Sequence, residues 1–573
     1  MVSGDGEGLP EEVLALIEKA ALLNAARHEG KADVGAVIGR ALAELPEYRA
    51  RSGEITEAAK RAVRRVNELA IEKQAALLDE KHGGAPAEQQ RSGRTGLPPL
   101  PNAVRGKACF RLAPEPSGFM TIGHAMAWNV NYIYKQMYDG QLWLRFEDTN
   151  PRKVAPAYYE SFRKGTAWLG IQWDHEKNVS DDMEEMYSRG EGLVGKGLAY
   201  ACSCDMQKVK KLRFEGSACE HRDAPVEANL RIWGELVSKK NKEGEFVIRL
   251  RGDMKNVNYS LRDPNIFRTI DRSHPLTGDR YSLWPTYHIA NVIEDEICGV
   301  THILRSSEFQ MDLQQMLRDL LGLRRVDVIQ FSRYNFKGTP VSKRLLRPLV
   351  ESKAVSGWDD PRMPTVEGVM RRGVVPQAIR DFTMQVGYSS AEHEFDWSML
   401  LSLNRKLLDP VSRRMFFVPD PVEVSVEGAP ERTVKVPFHP QADLGFRTIE
   451  TRGAFRLPSS DVAKVAEGSI FRLMDLYNVR VESKAPFRLS YAGDGLIQES
   501  RKVQWVGEAG IVAKVLLPGP LFDEKGEFQK DSLKVVLGVC EDSLSSAKVG
   551  EIVQFPRFGF CRLDAHGTLV MSC

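Results

Sequence analysis

The spacing of apolar residues changes along this chain, and each change predicts a different kind of structure. Residues 11–80 are helical by pattern, because apolar side chains recur at i, i+3, i+4 and i+7 from Val34 onward, after Asp33 as N-cap. After a stretch rich in Gly, Pro and polar residues, short apolar runs alternate with longer helical ones. From Met415 onward almost every apolar run is short, with frequent turn signals, which is typical of antiparallel β-barrels.

The middle of the chain predicts a parallel sheet. Residues 109–112 and 141–146 have the pattern of strands, and 121–138 has that of the connecting helix, so together they form a βαβ unit. Cysteines and strand-like pieces interrupt this pattern over 201–275. It then resumes with a helix at 286–297, a strand at 301–304, a helix at 308–321 and a strand at 326–331.

These shifts predict a multidomain chain of α/β plus β class. Its expected parts are a helical N-terminal extension, a linker, a doubly wound α/β core split by an insertion, a more helical stretch and a terminal β region. The expected boundaries are 1–81 for the extension, 82–104 for the linker, 105–201 and 276–350 for the two halves of the core, 202–275 for the insertion, 351–410 for the more helical stretch and 411–573 for the terminal β region.

The composition excludes several classes of protein. A hydrophobic content of 42% and a charged content of 27% are those of a globular protein, and no run of 18 apolar residues predicts a membrane span. The net charge of +2 gives no global basic field, although local basic stripes still allow RNA binding. An acidic N-terminus and eight cysteines in so long a chain lead us to expect a reducing cytoplasm.

Two short segments have the residue types that handle phosphates. Pro114, Pro116 and Gly118 predict a stiff turn after the first strand, and residues 121–124 (TIGH) open the helix that follows. A helix N-terminus offers free N–H groups and a positive dipole end to phosphate. Residues 340–344 (PVSKR) place a second basic group in a later loop, although such a cluster by itself is usually a solvated surface loop.

Together with three other segments, these two resemble the class I aminoacyl-tRNA synthetases of the glutamate and glutamine subgroup. The resemblance covers roughly residues 10–573, and it is strongest over 105–350. The segments that carry it are 111–118 (RLAPEPSG), 121–124 (TIGH), 144–150 (LRFEDTN), 285–291 (PTYHIAN) and 340–344 (PVSKR).

The resemblance implies a Rossmann-like catalytic core that binds ATP with Mg²⁺. Two residues differ from the family pattern, because Thr121 stands where the first signature has a histidine and Pro340 where the second has a lysine. Neither can supply the missing charge, so His124 and Lys343 become the expected catalytic groups. The expected ATP-binding residues are Glu115, Gly123, His124, Ser342, Lys343 and Arg344.

The resemblance also implies a glutamate pocket. Arg305 decides the substrate, because the glutamate enzymes have an arginine at this position and the glutamine enzymes a small neutral residue. A buried arginine favours a carboxylate over an amide, although a strand-end arginine taken alone is more often in a surface salt bridge. The expected glutamate-binding residues are Arg111, Glu147, Tyr287, Asn291 and Arg305.

Three cysteines and a histidine predict a structural zinc site in the insertion. Cys202, Cys204, Cys219 and His221 lie within twenty residues and supply the four N/S ligands of a closed tetrahedral site. The alternative is three free thiols and a surface histidine. Related synthetases carry zinc in this insertion, near the acceptor end of tRNA.

The N-terminal helices and the β-rich C-terminus look like the archaeal and eukaryotic type of glutamyl-tRNA synthetase. We expect ligation of glutamate to tRNA-Glu, and also to tRNA-Gln, through glutamyl-adenylate. The terminal β region is expected to contact the anticodon, with interleaved residues such as Phe446, Arg447, Phe455 and Arg456, and the N-terminal extension to dock another protein. Two alternatives stay open: a glutaminyl-tRNA synthetase, and a non-catalytic RNA-binding paralogue.

Overall fold

A computed structural model describes residues 9–27, 30–45, 48, 51–82, 96–309 and 311–573. The chain divides into two compact units, Met1–Thr95 and Gly96–Cys573. Most of the linker predicted at 82–104, together with the acidic N-terminus, lies outside the described residues, because these do not include 1–8 or 83–95.

The first unit is helical, in agreement with the predicted pattern. Asp33 caps the second helix as expected, because its Oδ1 accepts the Ala36 N–H at 2.8 Å. In the apolar stripe of that helix, Val37 and Ala41 are fully buried against its neighbours, and Val34, Ile38 and Leu42 are partly buried. The helices are α1 Glu11–Arg27, α2 Val34–Glu44, α3 Ser52–Asn67 and α4 Ile71–His82.

The second unit begins with alternating strands and helices. In chain order they are β1 Cys109–Leu112, α5 Ile122–Tyr138, β2 Gln141–Phe146, α6 Pro156–Trp168, β3 His175–Asn178, α7 Met183–Gly195, β4 Ala199–Cys202, α8 Met206–Glu215, α9 Val226–Val237, β5 Val247–Leu250, β6 Asn265–Thr269, β7 Leu283–Pro285, α10 Tyr287–Ile297, β8 His302–Ser306, α11 Met311–Leu321, β9 Asp327–Phe331, β10 Tyr334–Phe336, α12 Lys343–Glu351, α13 Val366–Arg372, α14 Pro376–Val386, β11 His393–Phe395 and α15 Trp397–Leu408.

Five of these strands form the predicted parallel arrangement. β1, β2 and β3 pair in parallel in that order, and β8 pairs in parallel with β9. The two groups meet where the Thr301 N–H donates to the Cys109 carbonyl at 3.0 Å, so β8 lies beside β1 although 192 residues separate these two positions. The residues that follow the carboxyl ends of β1 and β8 therefore face the same crevice.

The insertion has its own antiparallel sheet, whose core is shared with residues of α10 and α11. β4, β5, β6 and β7 pair in that order, and α7 and α9 pack near them around Trp233, Phe267 and Trp284. One strand of the parallel sheet was missed from the sequence. β3 (HEKN) has no apolar side chain, so the pattern of buried residues that identifies a strand is absent.

Twelve of the fourteen short strands in the terminal region lie in two six-stranded sheets, with orders β12-β22-β21-β25-β24-β23 and β16-β13-β19-β18-β17-β20, and β14 pairs with β15 in a separate antiparallel sheet. The expectation of antiparallel pairing is wrong for β13 with β19, β17 with β20 and β21 with β25, which are parallel. The elements are β12 Phe417–Pro419, β13 Pro421–Glu427, β14 Arg432–Pro437, β15 Phe446–Thr451, β16 Ala454–Pro458, α16 Ser459–Val462, β17 Ile470–Leu473, β18 Asn478–Lys484, β19 Phe487–Tyr491, β20 Lys502–Val503, β21 Gly510–Pro518, β22 Leu533–Glu541, β23 Ile552–Phe555, β24 Gly559–Ala565 and β25 Thr568–Met571.

None of the helices in the described part of the chain is long and apolar enough to cross a membrane.

Candidate active site

A cleft of about 520 Å³ opens at the carboxyl ends of β1 and β8. This volume is within the range of small-molecule sites. Of the residues proposed from the sequence to bind ATP or glutamate, Glu147, Asn291 and Arg344 do not line the cleft. Those that do line it are Arg111, Glu115, Gly123, His124, Tyr287, Arg305, Ser342 and Lys343.

His124 is held at the start of α5 as a neutral side chain. Its Nδ1 accepts the Thr121 backbone N–H at 3.1 Å, so the ring proton must be on Nε2. No described residue accepts a hydrogen bond from Nε2, which leaves this N–H free for a ligand. Burial, and then the charge of Lys343, lower the pKa of His124 to about 3.

Lys343 lies across the turn that follows β1, so the two predicted phosphate segments meet. Its Nζ donates to Ser117 Oγ at 3.0 Å, and Ser117 in turn donates to the Glu115 carboxylate at 2.8 Å. A Cβ on Gly118 would lie 2.7 Å from Lys343 Cε, so any larger residue there would make the flexible lysine side chain move. Burial lowers the pKa of Lys343, against the opposing charge of Glu115.

Arg305 is a buried guanidinium without a hydrogen-bond partner. It follows Leu304 on β8, is 5% exposed, and none of its three side-chain nitrogens bonds to a described residue. Phe309 lies over it, with 5.4 Å between the guanidinium carbon and the ring centroid, and Phe309 also packs on Tyr287 at 5.2 Å. Burial lowers the pKa of Arg305. An unpaired buried cation is costly, so the site favours an anionic ligand.

Asp295 organises the floor beneath this cleft, and the sequence analysis missed it. Its Oδ1 accepts from Arg111 Nε at 3.2 Å and lies 3.0 Å from Arg145 Nη1, while Oδ2 accepts from Arg318 at 2.7 Å. Burial opposes its ionisation, but these three arginines outweigh burial and hold the pKa of Asp295 below its usual value. Arg111 Nη2 is left without a partner. The strand-end Arg145 was visible in the sequence, but its partner on α10 was not.

Glu147 and Asn291 form a second buried pair just behind the cleft. Glu147 Oε1 accepts two hydrogen bonds from Arg145, the shorter at 2.7 Å, and a third from Asn291 Nδ2 at 3.2 Å. No described residue donates to Glu147 Oε2. The Glu147 backbone N–H donates to the carbonyl of Pro114, a cleft residue, at 2.8 Å. This carboxylate is therefore fixed beside the cleft with one oxygen free.

The remaining predicted residues have less defined positions. Ser342 is the N-cap residue of α12 and makes no side-chain capping hydrogen bond. Arg344 is exposed on the first turn of α12. A Cβ on Gly123 would meet nothing closer than the Tyr334 carbonyl at 3.6 Å, so no described residue requires glycine there.

Comparison with known families shows to which class of protein the domain with this cleft belongs. Residues 107–410 match the catalytic domain of the class I tRNA synthetases (E and Q), and residues 412–488 and 502–564 match two anticodon-binding domains of the same group. The chain belongs to the class I glutamate and glutamine tRNA synthetases. The predicted family is therefore confirmed, and the α/β unit with the cleft is the catalytic domain of this synthetase.

Known relatives match the synthetase along almost its full length. A glutamate–tRNA ligase of Cenarchaeum symbiosum is 39% identical over 97% of this chain and 98% of its own. One of Nitrosopumilus maritimus is 38% identical over 98% of this chain and 100% of its own. Among solved structures, a glutamate-tRNA synthetase of Elizabethkingia anophelis matches with a TM-score of 0.40 and 20% identity over 53% of this chain and 71% of its own.

The predicted zinc ligands of the synthetase lie together in the insertion. The ligand atoms of Cys202, Cys204, Cys219 and His221 all lie within 4.8 Å of one another. The Cys202 and Cys219 sulfurs are 3.8 Å apart, and Cys204 Sγ is 3.3 Å from His221 Nδ1. Zn–S bonds of about 2.3 Å put two sulfurs of a tetrahedral site about 3.8 Å apart, so the spacing fits. The other ring nitrogen of His221, Nε2, bonds to Ser203 Oγ at 2.9 Å.

The interleaved aromatic and arginine residues of the anticodon-binding region differ in how exposed their side chains are. Phe455 and Arg447 are buried, and Arg447 Nε is 2.6 Å from the equally buried Glu541, so these two stabilise the fold. Phe446 is 55% exposed, with Lys435 Nζ 4.5 Å from its ring centroid. Alternation along a strand places neighbours on opposite faces, which separates Phe446 from Arg447.

Proposed function

We propose that this chain ligates glutamate to tRNA in two steps, through a glutamyl-adenylate made from ATP with release of pyrophosphate. Its membership of the class I glutamate and glutamine group and the printed names of its full-length relatives support this activity. The observation that carries the choice of glutamate is Arg305, a buried cation in the cleft without a partner.

Arg305 and Arg111 together form a receptor for a side-chain carboxylate. All three side-chain nitrogens of Arg305 and Nη2 of Arg111 lack partners among the described residues. A γ-carboxylate accepts from several of these donors at once, whereas glutamine turns an N–H group towards them and leaves a donor unpaired. Since Phe309 keeps water from the guanidinium, that mismatch is expensive.

The other cleft residues hold the reacting groups. The free Oε2 of Glu147 is suited to the substrate ammonium, and Asn291 keeps this carboxylate in place through Oε1. The Nε2–H of His124 donates to an ATP oxygen, and Lys343 brings its charge to the α-phosphate when it leaves Ser117. Glu115, Gly123, Ser342 and Arg344 complete the proposed ATP site. Mg²⁺ accompanies ATP and offsets phosphate charge.

We also propose that the cluster of Cys202, Cys204, Cys219 and His221 holds a structural zinc ion. The donor set and the spacing of its sulfurs support this, and so does Arg249, whose Nη1 lies 3.8 Å from both Cys202 and Cys219 sulfurs. Burial opposes ionisation of Cys219, but hydrogen bonds from Tyr200 and the His221 backbone, together with the charge of Arg249, lower the pKa of this thiol, and the thiolate is the form that binds metal. The cluster lies outside the cleft, so its role is to shape the insertion.

The tRNA partner follows from the family, and its range remains a proposal. We propose tRNA-Glu and also tRNA-Gln as substrates, with the two terminal β domains, as barrels, contacting the anticodon. The domain boundaries given above, the Rossmann-like core, docking of another protein by the N-terminal helices and a cytoplasmic location remain predictions. Charging of both purified tRNAs with labelled glutamate tests the range, and strict refusal of tRNA-Gln contradicts the second substrate.

ATP–pyrophosphate exchange with tRNA present tests the main proposal. We expect exchange with glutamate and little with glutamine. Exchange with glutamine alone favours the glutaminyl enzyme. Absence of exchange with either amino acid, in protein that still binds tRNA, favours the non-catalytic RNA-binding alternative.

A further inference from the structure

Thr121 contacts the ring of His124 through two of its atoms. Its backbone N–H donates to His124 Nδ1 at 3.1 Å, and its Oγ1 lies 2.8 Å from the same nitrogen. Thr121 is the N-cap of α5, with an extended backbone, and only 4% of it is exposed. Thr121 lines the cleft, but its hydroxyl is engaged by the His124 ring, at the position where the related signature has a histidine.

These contacts determine which nitrogen of His124 carries the proton. A ring nitrogen that accepts a backbone N–H is unprotonated, so the threonine hydroxyl at the same nitrogen must donate too, and the two donors share the one lone pair of Nδ1. The proton of the neutral ring is then on Nε2. The ring packs edge-on against Phe162, with centroids 5.2 Å apart, and against Trp128, a cleft residue, at 6.2 Å. These two aromatic contacts also hold the orientation of the His124 ring.

We propose that Thr121 is a positioning residue that selects the neutral Nε2–H tautomer of His124 and does not itself contact ATP. This inference rests on the proposed role of His124 in binding ATP. Protonating Nδ1 would turn an N–H towards the Thr121 N–H, so the ring resists becoming a cation even near phosphate. His124 therefore acts as a directed neutral donor, and the positive charge of the site comes from Lys343.

A double-mutant cycle tests whether Thr121 acts through His124. Thr121→Val keeps the shape and removes the hydroxyl, whereas Thr121→Ser keeps the hydroxyl. We expect Thr121→Val to lower kcat of ATP–pyrophosphate exchange about 3- to 10-fold, as for one lost hydrogen bond, with KM for ATP unchanged. Thr121→Ser should restore kcat. In a His124→Ala background, Thr121→Val should have no further effect.

Two possible results of the double-mutant cycle would contradict the inference. An equal loss on adding Thr121→Val to His124→Ala, or a loss confined to KM for ATP, means that the hydroxyl contacts the nucleotide directly. Thermal unfolding of each variant shows whether α5 has lost its cap. If Thr121→Val does not fold, Thr121→Ser and the measurement below still decide.

The tautomer can be read without any activity. In full-length protein labelled with ¹⁵N-histidine, the His124 ring signals are assigned by their loss in His124→Ala. We expect Nε2 protonated and Nδ1 unprotonated at pH 7, and a partial shift towards Nδ1–H in Thr121→Val. A wild-type ring protonated on Nδ1 overturns the inference even if exchange is normal. The expected tautomer in a protein without exchange would instead contradict the proposed function alone.

Discussion

Replacing Arg305 by methionine should collapse the preference for glutamate without weakening the fold. Methionine keeps an unbranched side chain as far as the place of the Nε atom and removes the guanidinium. Arg325 is the matched control, because its side chain is 83% exposed and its nearest acidic group, on Asp319, is 4.0 Å away. Arg325→Met should change neither activity nor stability.

The magnitude follows from the contacts that Arg305 has available. Two charge-assisted hydrogen bonds to the γ-carboxylate contribute about 1.5–3 kcal/mol each, so their loss should lower kcat/KM for glutamate by about 10²–10⁴-fold. Glutamine offers one neutral acceptor oxygen instead of two charged ones, so its kcat/KM should change much less. The ratio of the two values should then fall by about the same factor, as measured by ATP–pyrophosphate exchange with tRNA present.

The stability of the same variant tests the premise that Arg305 is unpaired. None of its three nitrogens bonds to a described residue, so removing the charge relieves a cost of burial and breaks no hydrogen bond within the described part of the chain. The Tm of Arg305→Met should therefore equal or exceed that of the wild type when no substrate is present. A variant that keeps its selectivity, or one whose Tm drops by several degrees, would refute the reasoning.

Three further predictions concern other parts of the synthetase. Lys343→Ala should lower the rate of adenylate formation about 10²–10³-fold. Near-normal ATP–pyrophosphate exchange in this variant would contradict the assignment of Lys343 to the ATP site. Purified protein should contain about one zinc per chain by elemental analysis, and Cys204→Ser should lower this content while Cys573→Ser should not; a metal-free wild type prepared without chelators would argue for free thiols. Burial raises the pKa of Glu294 from 4.5 to about 7, so the folded state keeps a proton that the unfolded state loses. Stability should therefore decline as pH rises from about 4.5 to 7, and Glu294→Gln should flatten this decline in thermal unfolding; an unchanged slope would contradict the burial argument.

The spacing of apolar and polar residues was sufficient to predict most helices and strands of the catalytic domain. The strands at 109–112 and 141–146 have the predicted bounds, and the helix predicted from residue 121 begins one residue later because Thr121 is its cap. The helix predicted from residue 308 begins at Met311. Pattern failed for β3, whose polar side chains carry no alternation, and for the three parallel pairings, because pairing partners depend on distant residues.

The candidate site was predicted unevenly, and the reason is physical. Motif resemblance selected Arg111, His124, Arg305 and Lys343, which lie together in the cleft. It could not select Asp295, because an acidic residue near the end of an amphipathic helix usually faces solvent. Only the fold shows that three arginines surround it. Ser117, the partner of Lys343, was inside a quoted motif, but its hydrogen bond depends on the first residue of α12, 226 positions away, where the sequence had predicted a loop.

The bond between Cys109 and Thr301 also has a consequence for synthesis of the chain on the ribosome. β1 is at one edge of its group of three strands until β8 covers that edge, and 192 residues separate the two positions. At about 5–20 residues per second, the interval is roughly 10–40 s. During that time the nascent sheet presents an uncovered strand edge, which is a surface for misassociation. The antiparallel sheet of the insertion is made within this interval, but Leu313 and Leu317 of its core come from α11, after Thr301, so this core is completed only once the edge can be covered.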